Sequence, residues 1–168
     1  MDIDLEQGLR DLLAEREITA AMHRYLRGVD RCDVDLIKSA YHPDARDRHG
    51  DFDGLGTDFA DALVNERLLQ FTASSHHVSN MTIELDGDRA FVETYFMAVN
   101  VKPDHRLLSV GGRYIDRFER RVGEWKVADR QVVLDWDTFG PPDPEAPRAP
   151  FVAGRRDRSD LVYERPEA

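Results

Sequence analysis

Apolar residues recur with a helical period between Leu5 and about Val29. Ile18, Met22, Tyr25 and Val29 fall on one stripe, whereas the charged residues of this segment fall largely outside it. Such a stripe is the face that an amphipathic helix buries against a core. The pattern therefore predicts one long N-terminal helix with Tyr25 on its buried side.

Two shorter helices are expected after the first one. Asp33 has the side chain of an N-cap, and a second helix should run from there to residue 40 or 41, before Pro43 stops it. Thr57 can cap a third helix that extends to about Phe71. Between them, residues 44–56 are rich in Asp and Gly, which favours a loop with one short strand at most.

After Ser74 the pattern changes from a helical period to the alternation of strands. Asp86-Gly87-Asp88 is a hairpin signal, Val122-Gly123 marks a later turn, and Gly111-Gly112 indicates a bend or bulge within a strand. The strands predicted from these signals cover about 75–85, 90–99, 107–120 and 124–136. Together they predict an antiparallel meander.

Helices followed by a meander make an α+β architecture. A strongly curved sheet wrapped around the long helix would form a cone, with a small-ligand pocket between the two layers. Five of the eight prolines lie between Pro141 and Pro150, which favours an irregular segment after the last strand. We therefore expect one domain over residues 1–139 and a Pro-rich tail over residues 140–168.

Composition and charge narrow the class of protein. The 168 residues are about one domain's worth, with 41% hydrophobic and 33% charged residues, as in ordinary globular proteins. A net charge of -10 argues against nucleic acid and anionic membranes as partners, because both require a basic surface. The single cysteine, Cys32, fits a reducing compartment. Without an apolar span or a basic leader at the N-terminus, we expect a cytoplasmic protein.

A histidine pair, His76 and His77, stands at the head of the first long strand. Histidine is the usual proton carrier in catalysis, because its unperturbed pKa lies close to neutrality. Alternation along a strand sends one of the two rings inward and the other outward. The inward ring is either a base at a pocket or a hydrogen-bonded core residue, and the sequence pattern alone leaves both possibilities open.

Three further residues are candidates for the same pocket. Arg130 falls in an otherwise apolar row of the last strand, where a buried cation requires a core carboxylate or an anionic ligand. Asp30 follows the apolar stripe of the first helix, so it is either a helix-end residue or the carboxylate that orients a histidine base. Tyr25 is either a core aromatic or a phenol that hydrogen-bonds a substrate.

No familiar cofactor or metal motif is present in the sequence. The chain lacks a phosphate-binding glycine loop, a Gly-x-Ser-x-Gly elbow and a dinucleotide fingerprint. Its six histidines form no His-x-His or His-Glu-x-x-His array, so we expect no metal site. Proton transfer without a cofactor is the chemistry that these observations favour.

Three stretches together resemble the SnoaL-like branch of the NTF2-like superfamily: residues 24–30 (RYLRGVD), 76–80 (HHVSN) and 112–125 (GRYIDRFERRVGEW). The likeness extends over about Leu9 to Trp136. It implies the NTF2-like cone, in which a curved mixed or antiparallel sheet surrounds a long N-terminal helix and two shorter helices. This fold hosts dehydratases, isomerases, cyclases and non-catalytic subunits, so it leaves several functions open.

Within this branch the motifs are most similar to those of hexachlorocyclohexane dehydrochlorinase, with bile acid 7α-dehydratase and scytalone dehydratase as relatives. The resemblance implies that Asp30 is the catalytic aspartate after Gly-Val, and that His76, four residues before the asparagine of the strand motif, is the catalytic histidine. It also implies that Arg130 and Tyr25 bind the substrate.

These implications lead to an expected function. We expect a cofactor-independent lyase that acts on a small apolar substrate of alicyclic, steroid-like or polyketide-like type. Loss of water is the expected reaction, and loss of halide is the minor alternative. His76 would abstract a proton from the substrate, and Asp30 would orient the imidazole ring of His76. The alternatives are an isomerase or polyketide cyclase in the same pocket, and a non-catalytic partner like the small subunit of ring-hydroxylating dioxygenases. The resemblance further implies a homo-oligomer, either a dimer or a trimer.

Overall fold

A computed structural model describes residues 5–141 and 155–159 of the chain. Its first element, helix α1, covers Leu5–Arg31. Ile18 and Met22 are completely buried along this helix, and Tyr25 and Val29 are buried with them. The prediction of a long N-terminal helix with an apolar core-facing stripe is therefore confirmed.

Among the described residues, six strands form one mixed sheet. They are β1 (Tyr41–His49), β2 (Phe52–Leu55), β3 (Ala73–Asp86), β4 (Arg89–Val101), β5 (Leu107–Arg121) and β6 (Glu124–Phe139). Their order across the sheet is β2-β1-β6-β5-β4-β3. The β1–β6 pairing is parallel and the other four pairings are antiparallel. The four predicted strands are present as β3 to β6.

The prediction of a loop over residues 44–56 is wrong. Arg46, Asp47 and Arg48 belong to β1, where they pair in parallel with residues 129–131 of β6. The sequence pattern does not reveal this strand because many of its side chains are charged. Their counter-charges come from β6, which is distant in the sequence. The Arg48 guanidinium donates to both carboxylate oxygens of Asp129 at 2.7 and 3.0 Å.

Both shorter helices are present, but the end of the first and the start of the second differ from the prediction. Helix α2 covers Val34–Lys38, and its predicted N-cap, Asp33, accepts a hydrogen bond from the Leu36 amide. Helix α3 covers Gly56–Ala62 and continues through a π-helical turn and a 3₁₀ turn to residue 70. Thr57 is not its N-cap, because β2 runs directly into the helix and places Leu55 at the N-cap position.

A close approach of α1 and α2 fixes the end of the long helix. A Cβ atom on Gly28 would lie 2.7 Å from Cγ1 of Ile37, so only glycine fits between the two helices at this point. The Gly28 carbonyl also accepts a hydrogen bond from the Asp33 amide at 2.8 Å. This contact holds the last turn of α1, which contains Asp30, against the rest of the domain.

Irregularities in the strands curve the sheet around α1. The pairing register shifts between Ser79 and Met81, between Gly111 and Gly112, and between Arg117 and Phe118. Each shift inserts an extra residue that bends a strand and increases its twist. The bulge expected at Gly111-Gly112 is confirmed, and so is the α+β cone with its curved mixed sheet.

Strand β6 ends at Phe139, the last residue of the predicted domain. Most of the predicted Pro-rich tail lies outside the described residues, so the division of the chain at residue 140 stays a prediction. Within the part of the chain that the structure describes, no helix is long and apolar enough to span a membrane.

Candidate active site

Asp30 in the last turn of α1 and His76 in β3 form a hydrogen-bonded pair. The His76 Nδ1 atom lies 2.6 Å from Oδ1 of Asp30. The backbone amide of His76 donates to Oδ2 of the same carboxylate at 3.1 Å. Because an ionised carboxylate only accepts hydrogen bonds, Nδ1 is the donor in this contact. The structure thus places the two predicted residues in the geometry of an orienting pair.

The neighbouring histidine faces the other way. His77 is exposed on the outer side of β3, where its Nε2 lies 3.0 Å from the Ser75 hydroxyl. By contrast, only 13% of the His76 side chain is exposed. Alternation along the strand therefore separates the two rings as the sequence predicts, with His76 on the inner side.

His76 forms part of the wall of a cavity of about 420 Å³ between α1, the turns after α3 and the inner face of the sheet. Most of this wall is apolar, with Val29, Leu63, Leu68, Phe71, Phe96, Ala98, Leu108, Val110, Val132 and Leu134. Its polar groups come from Tyr25, His49, Arg67, Gln70, His76, Asn100 and Tyr114. A volume of this size and a wall of this composition are typical of small-ligand pockets.

Asp30 stands behind His76 rather than in the wall. Of the described residues that line the cavity, none is Asp30; it borders an open surface groove on the far side of the pair, together with His23 and Arg27. A ligand in the cavity would therefore meet the imidazole first. This arrangement suits a carboxylate that orients a base and does not itself contact the substrate.

Tyr25 also lines the cavity, where its ring belongs to an aromatic cluster. Its centroid lies 5.8 Å from that of Tyr41 and 5.9 Å from that of Tyr114, both in edge-to-face contact. Burial raises the pKa of Tyr25, although the nearby Arg130 opposes the shift. The Tyr25 phenol therefore stays neutral and keeps its hydroxyl hydrogen.

Arg130 lies deeper than the other predicted site residues. Its guanidinium donates to both carboxylate oxygens of Asp116 at 2.8 and 2.7 Å and to the Tyr41 hydroxyl at 3.2 Å. The same group lies 4.4 Å from the ring centroids of Tyr25 and Tyr114. Arg130 has no exposed surface and is not among the described residues that line the cavity. Its contacts are thus those of the structural ion pair, and it reaches the cavity only through the two tyrosine rings.

The polar residues of the wall that the sequence does not predict are His49, Arg67, Gln70, Asn100 and Tyr114. Asn100 interrupts an apolar row of β4 that includes Ala98 and Phe96, a signal of the same kind as the one that revealed Arg130. Its Oδ1 accepts a hydrogen bond from the Ser74 hydroxyl at 2.9 Å, which leaves the amide nitrogen of Asn100 for a ligand. His49 was missed because its strand was predicted as a loop.

The profile of the SnoaL-like domain family matches residues 10–131, a range that includes Asp30, His76 and Arg130. The chain belongs to the SnoaL-like domain family. No curated protein matches the chain.

Several solved structures share this SnoaL-like fold. The hexachlorocyclohexane dehydrochlorinase LinA-type3 from Novosphingobium barchaimii is 20% identical, with a TM-score of 0.76 over 84% of this chain and 99% of that one. A candidate scytalone dehydratase from Novosphingobium aromaticivorans is 22% identical, with a TM-score of 0.68 over 82% and 97%. A candidate aromatic ring hydroxylase from the same organism is 20% identical, with a TM-score of 0.70 over 76% and 94%. At these identities the likeness establishes the fold and no activity.

Proposed function

We propose that this SnoaL-like protein is a cofactor-independent lyase that removes water from a small, largely apolar ring compound. The observation that carries the proposal is the Asp30–His76 hydrogen bond at the wall of the 420 Å³ cavity. Two of the similar structures bear the names of a dehydrochlorinase and a candidate dehydratase, which fits an elimination.

In the proposed reaction, Nε2 of His76 takes a proton from a carbon atom of the substrate. The electrons of the broken C–H bond form a carbon–carbon double bond, and the C–O bond on the neighbouring carbon breaks. The departing hydroxide takes the proton from His76, so water leaves and the neutral imidazole returns. Asp30 holds the imidazole in the required tautomer and stabilises its transient positive charge.

The predicted binding residues take different parts in this proposal. Tyr25 lines the cavity, and its neutral phenol, which also interacts with Tyr41 and Arg130, takes the part of hydrogen-bonding the enolate or the leaving group. Arg130 does not line the cavity and acts as a positioning residue for the two tyrosines. Its guanidinium lies against the faces of Tyr25 and Tyr114 and pairs with Asp116.

Two alternatives share the fold. An isomerase or polyketide cyclase would begin with the same proton abstraction but would retain all substituents of the substrate. A non-catalytic subunit would have no use for an open cavity beside the pair, so the cavity at His76 supports an enzyme over a subunit.

The test is a comparison of turnover in wild type, His76→Ala and Asp30→Asn. Bicyclic and steroid β-hydroxy ketones are the probes for loss of water, read from the absorbance of the enone, and hexachlorocyclohexane is the probe for loss of chloride. We expect each variant to lose about 10²–10⁴-fold in kcat. Asn at position 30 presents an amide hydrogen to Nδ1 and thereby shifts the ring proton to Nε2.

A parallel measurement separates the alternatives. Exchange of the α-proton in deuterated water, followed by NMR, reports proton abstraction whether or not a group leaves. Exchange without enone or chloride release would favour an isomerase or cyclase. Activity in both variants within a few-fold of wild type would reject the Asp30–His76 pair as the catalytic unit.

A homo-oligomer, dimer or trimer, belongs to the same proposal. Phe91, Tyr95 and Met97 alternate along β4 on the outer side of the sheet and remain exposed, a pattern that fits a subunit interface. Sedimentation velocity of wild type and of Tyr95→Glu would test it, with dissociation to monomers expected in the variant.

A further inference from the structure

His49 enters the cavity from the side opposite His76. The two histidines belong to β1 and β3, which are separated in the sheet by β6, β5 and β4. Both line the same cavity, because the sheet curves around it. A ligand held between them would therefore meet one imidazole at each side.

The ring of His49 is held in place and has one accessible edge. It stacks on Phe59 with ring centroids 4.5 Å apart and planes inclined by 18°. Its Nδ1 is enclosed and has no hydrogen-bond partner among the described residues. The other ring nitrogen, Nε2, is not enclosed in this way, and 29% of the side chain is exposed, so a ligand can reach the Nε2 edge.

Asp47 determines which nitrogen of His49 carries the hydrogen. The Nδ1 atom lies 3.8 Å from Oδ1 of Asp47, and that oxygen is also enclosed and without a hydrogen-bond partner among the described residues. A carboxylate oxygen opposite Nδ1 favours the tautomer with the hydrogen on Nδ1, because the reverse would set two lone pairs against each other. The Nε2 atom then has a lone pair directed to the accessible side.

The ionisation states of His49 and Asp47 are compatible with this tautomer of His49. Burial lowers the pKa of His49 to about 3, and the nearby Arg130, Arg67 and His76 act in the same direction. Burial raises the pKa of Asp47 to about 6, so its carboxyl is ionised at mildly alkaline pH. The ring of His49 is therefore neutral under conditions in which Asp47 is a carboxylate.

We propose that Nε2 of His49 accepts a hydrogen bond from a hydroxyl group of the ligand and selects hydroxylated ring compounds over ketones and hydrocarbons of the same shape. In this role His49 is a specificity-determining residue on the opposite side of the ligand from the proposed base. The inference rests on the proposed function in one respect, namely that the cavity receives the substrate.

The experiment measures binding without turnover, so its result is independent of whether the protein is a lyase. Three bicyclic probes of matched shape are titrated by NMR at about pH 8, where Asp47 is ionised: 2-decalol, 2-decalone and decalin. The proteins are wild type, His49→Phe, which keeps an aromatic ring against Phe59, and His49→Gln, which restores a hydrogen-bond acceptor.

We expect His49→Phe to weaken 2-decalol binding by about tenfold, the equivalent of one hydrogen bond. Binding of 2-decalone and decalin should stay within twofold, and His49→Gln should recover most of the 2-decalol affinity. In wild type labelled with ¹⁵N, the Nε2 signal of His49 should shift with 2-decalol and not with decalin.

Three results would overturn the proposal. Unchanged affinity for 2-decalol in His49→Phe would show that the ring only packs. Equal weakening for all three probes would show a loss of shape and not of a hydrogen bond. Failure of every probe to bind wild type would show that the cavity does not accept rings of this kind. A lack of lyase activity accompanied by the expected binding pattern would overturn the proposed function alone.

Discussion

Two acid–base pairs of the domain differ in what surrounds them. The Arg130–Asp116 pair has no exposed surface, and each nitrogen of the guanidinium has a partner. The His76–Asp30 pair keeps 13% and 16% of its side chains exposed, and His76 lines a cavity. A pair in which every guanidinium nitrogen has a partner inside the core positions its neighbours, whereas a histidine that lines a cavity can act on a ligand.

The largest effect on stability is expected from the fully buried Arg130–Asp116 pair, called here the sealed pair. Asp116→Asn removes the carboxylate that accepts from both Nε and Nη2 of the buried Arg130, which should reduce the free energy of unfolding by about 3–5 kcal/mol. Urea unfolding measures the change. The matched control is Asp135→Asn, which removes a two-pronged Arg113 partner on the same two strands. That pair is partly exposed and screened by solvent, so its loss should change the free energy of unfolding far less. Equal losses in both variants would contradict the contrast between sealed and open pairs.

A smaller effect, dependent on pH, should come from Asp47, a second carboxyl beside Arg130. Because burial raises its pKa from 3.8 to about 6, the folded protein holds this proton over a range in which the unfolded chain has lost it. Wild type should therefore lose about 2 kcal/mol of stability relative to Asp47→Asn as the pH rises from 4 to 6. Urea unfolding of both proteins across this range measures the difference, and a constant difference would show that Asp47 is ionised throughout.

The smallest effect on stability is expected from the partly exposed His76–Asp30 pair, called here the open pair. Asp30→Asn still accepts a hydrogen bond from the His76 amide and leaves no charge sealed in the core. We expect the free energy of unfolding to change by about 1 kcal/mol, even though turnover should fall steeply. A loss as large as that in Asp116→Asn would mean that the Asp30–His76 pair is a structural element, and the contrast between the two pairs would fail.

The sequence reveals the open pair more readily than the sealed one. Asp30 follows a clear helical stripe and His76 heads an alternating strand, so periodicity and family resemblance both single them out. Arg130 stands out as a cation in an apolar row. Its partner Asp116 does not, because β5 carries several charged residues and only the register of β5 against β6 brings Asp116 opposite Arg130.

Strand β1 shows why the rest of the site could not be predicted. Pro43, Asp44, Arg46 and Arg48 give this segment the composition of a loop. It is a strand because β6 pairs with it in parallel from more than eighty residues away and supplies Asp129 and Gln131 as partners for Arg48. Local propensity contains no record of such a pairing. His49 lies at the end of β1, so it could not be predicted as a site residue either.

The strand order also bears on how the chain is made. Strand β6, the last of the described strands to be synthesised, occupies the middle of the sheet between β1 and β5. A growing chain therefore carries two separate pieces, the β1–β2 hairpin and the β3–β4–β5 meander, with no β-sheet hydrogen bonds joining them until the final strand inserts. Each piece presents an unpaired edge to other chains during that interval. Assembly of the sheet must wait for the C-terminal strand, and so must the closing of the cavity wall that Val132 and Leu134 complete.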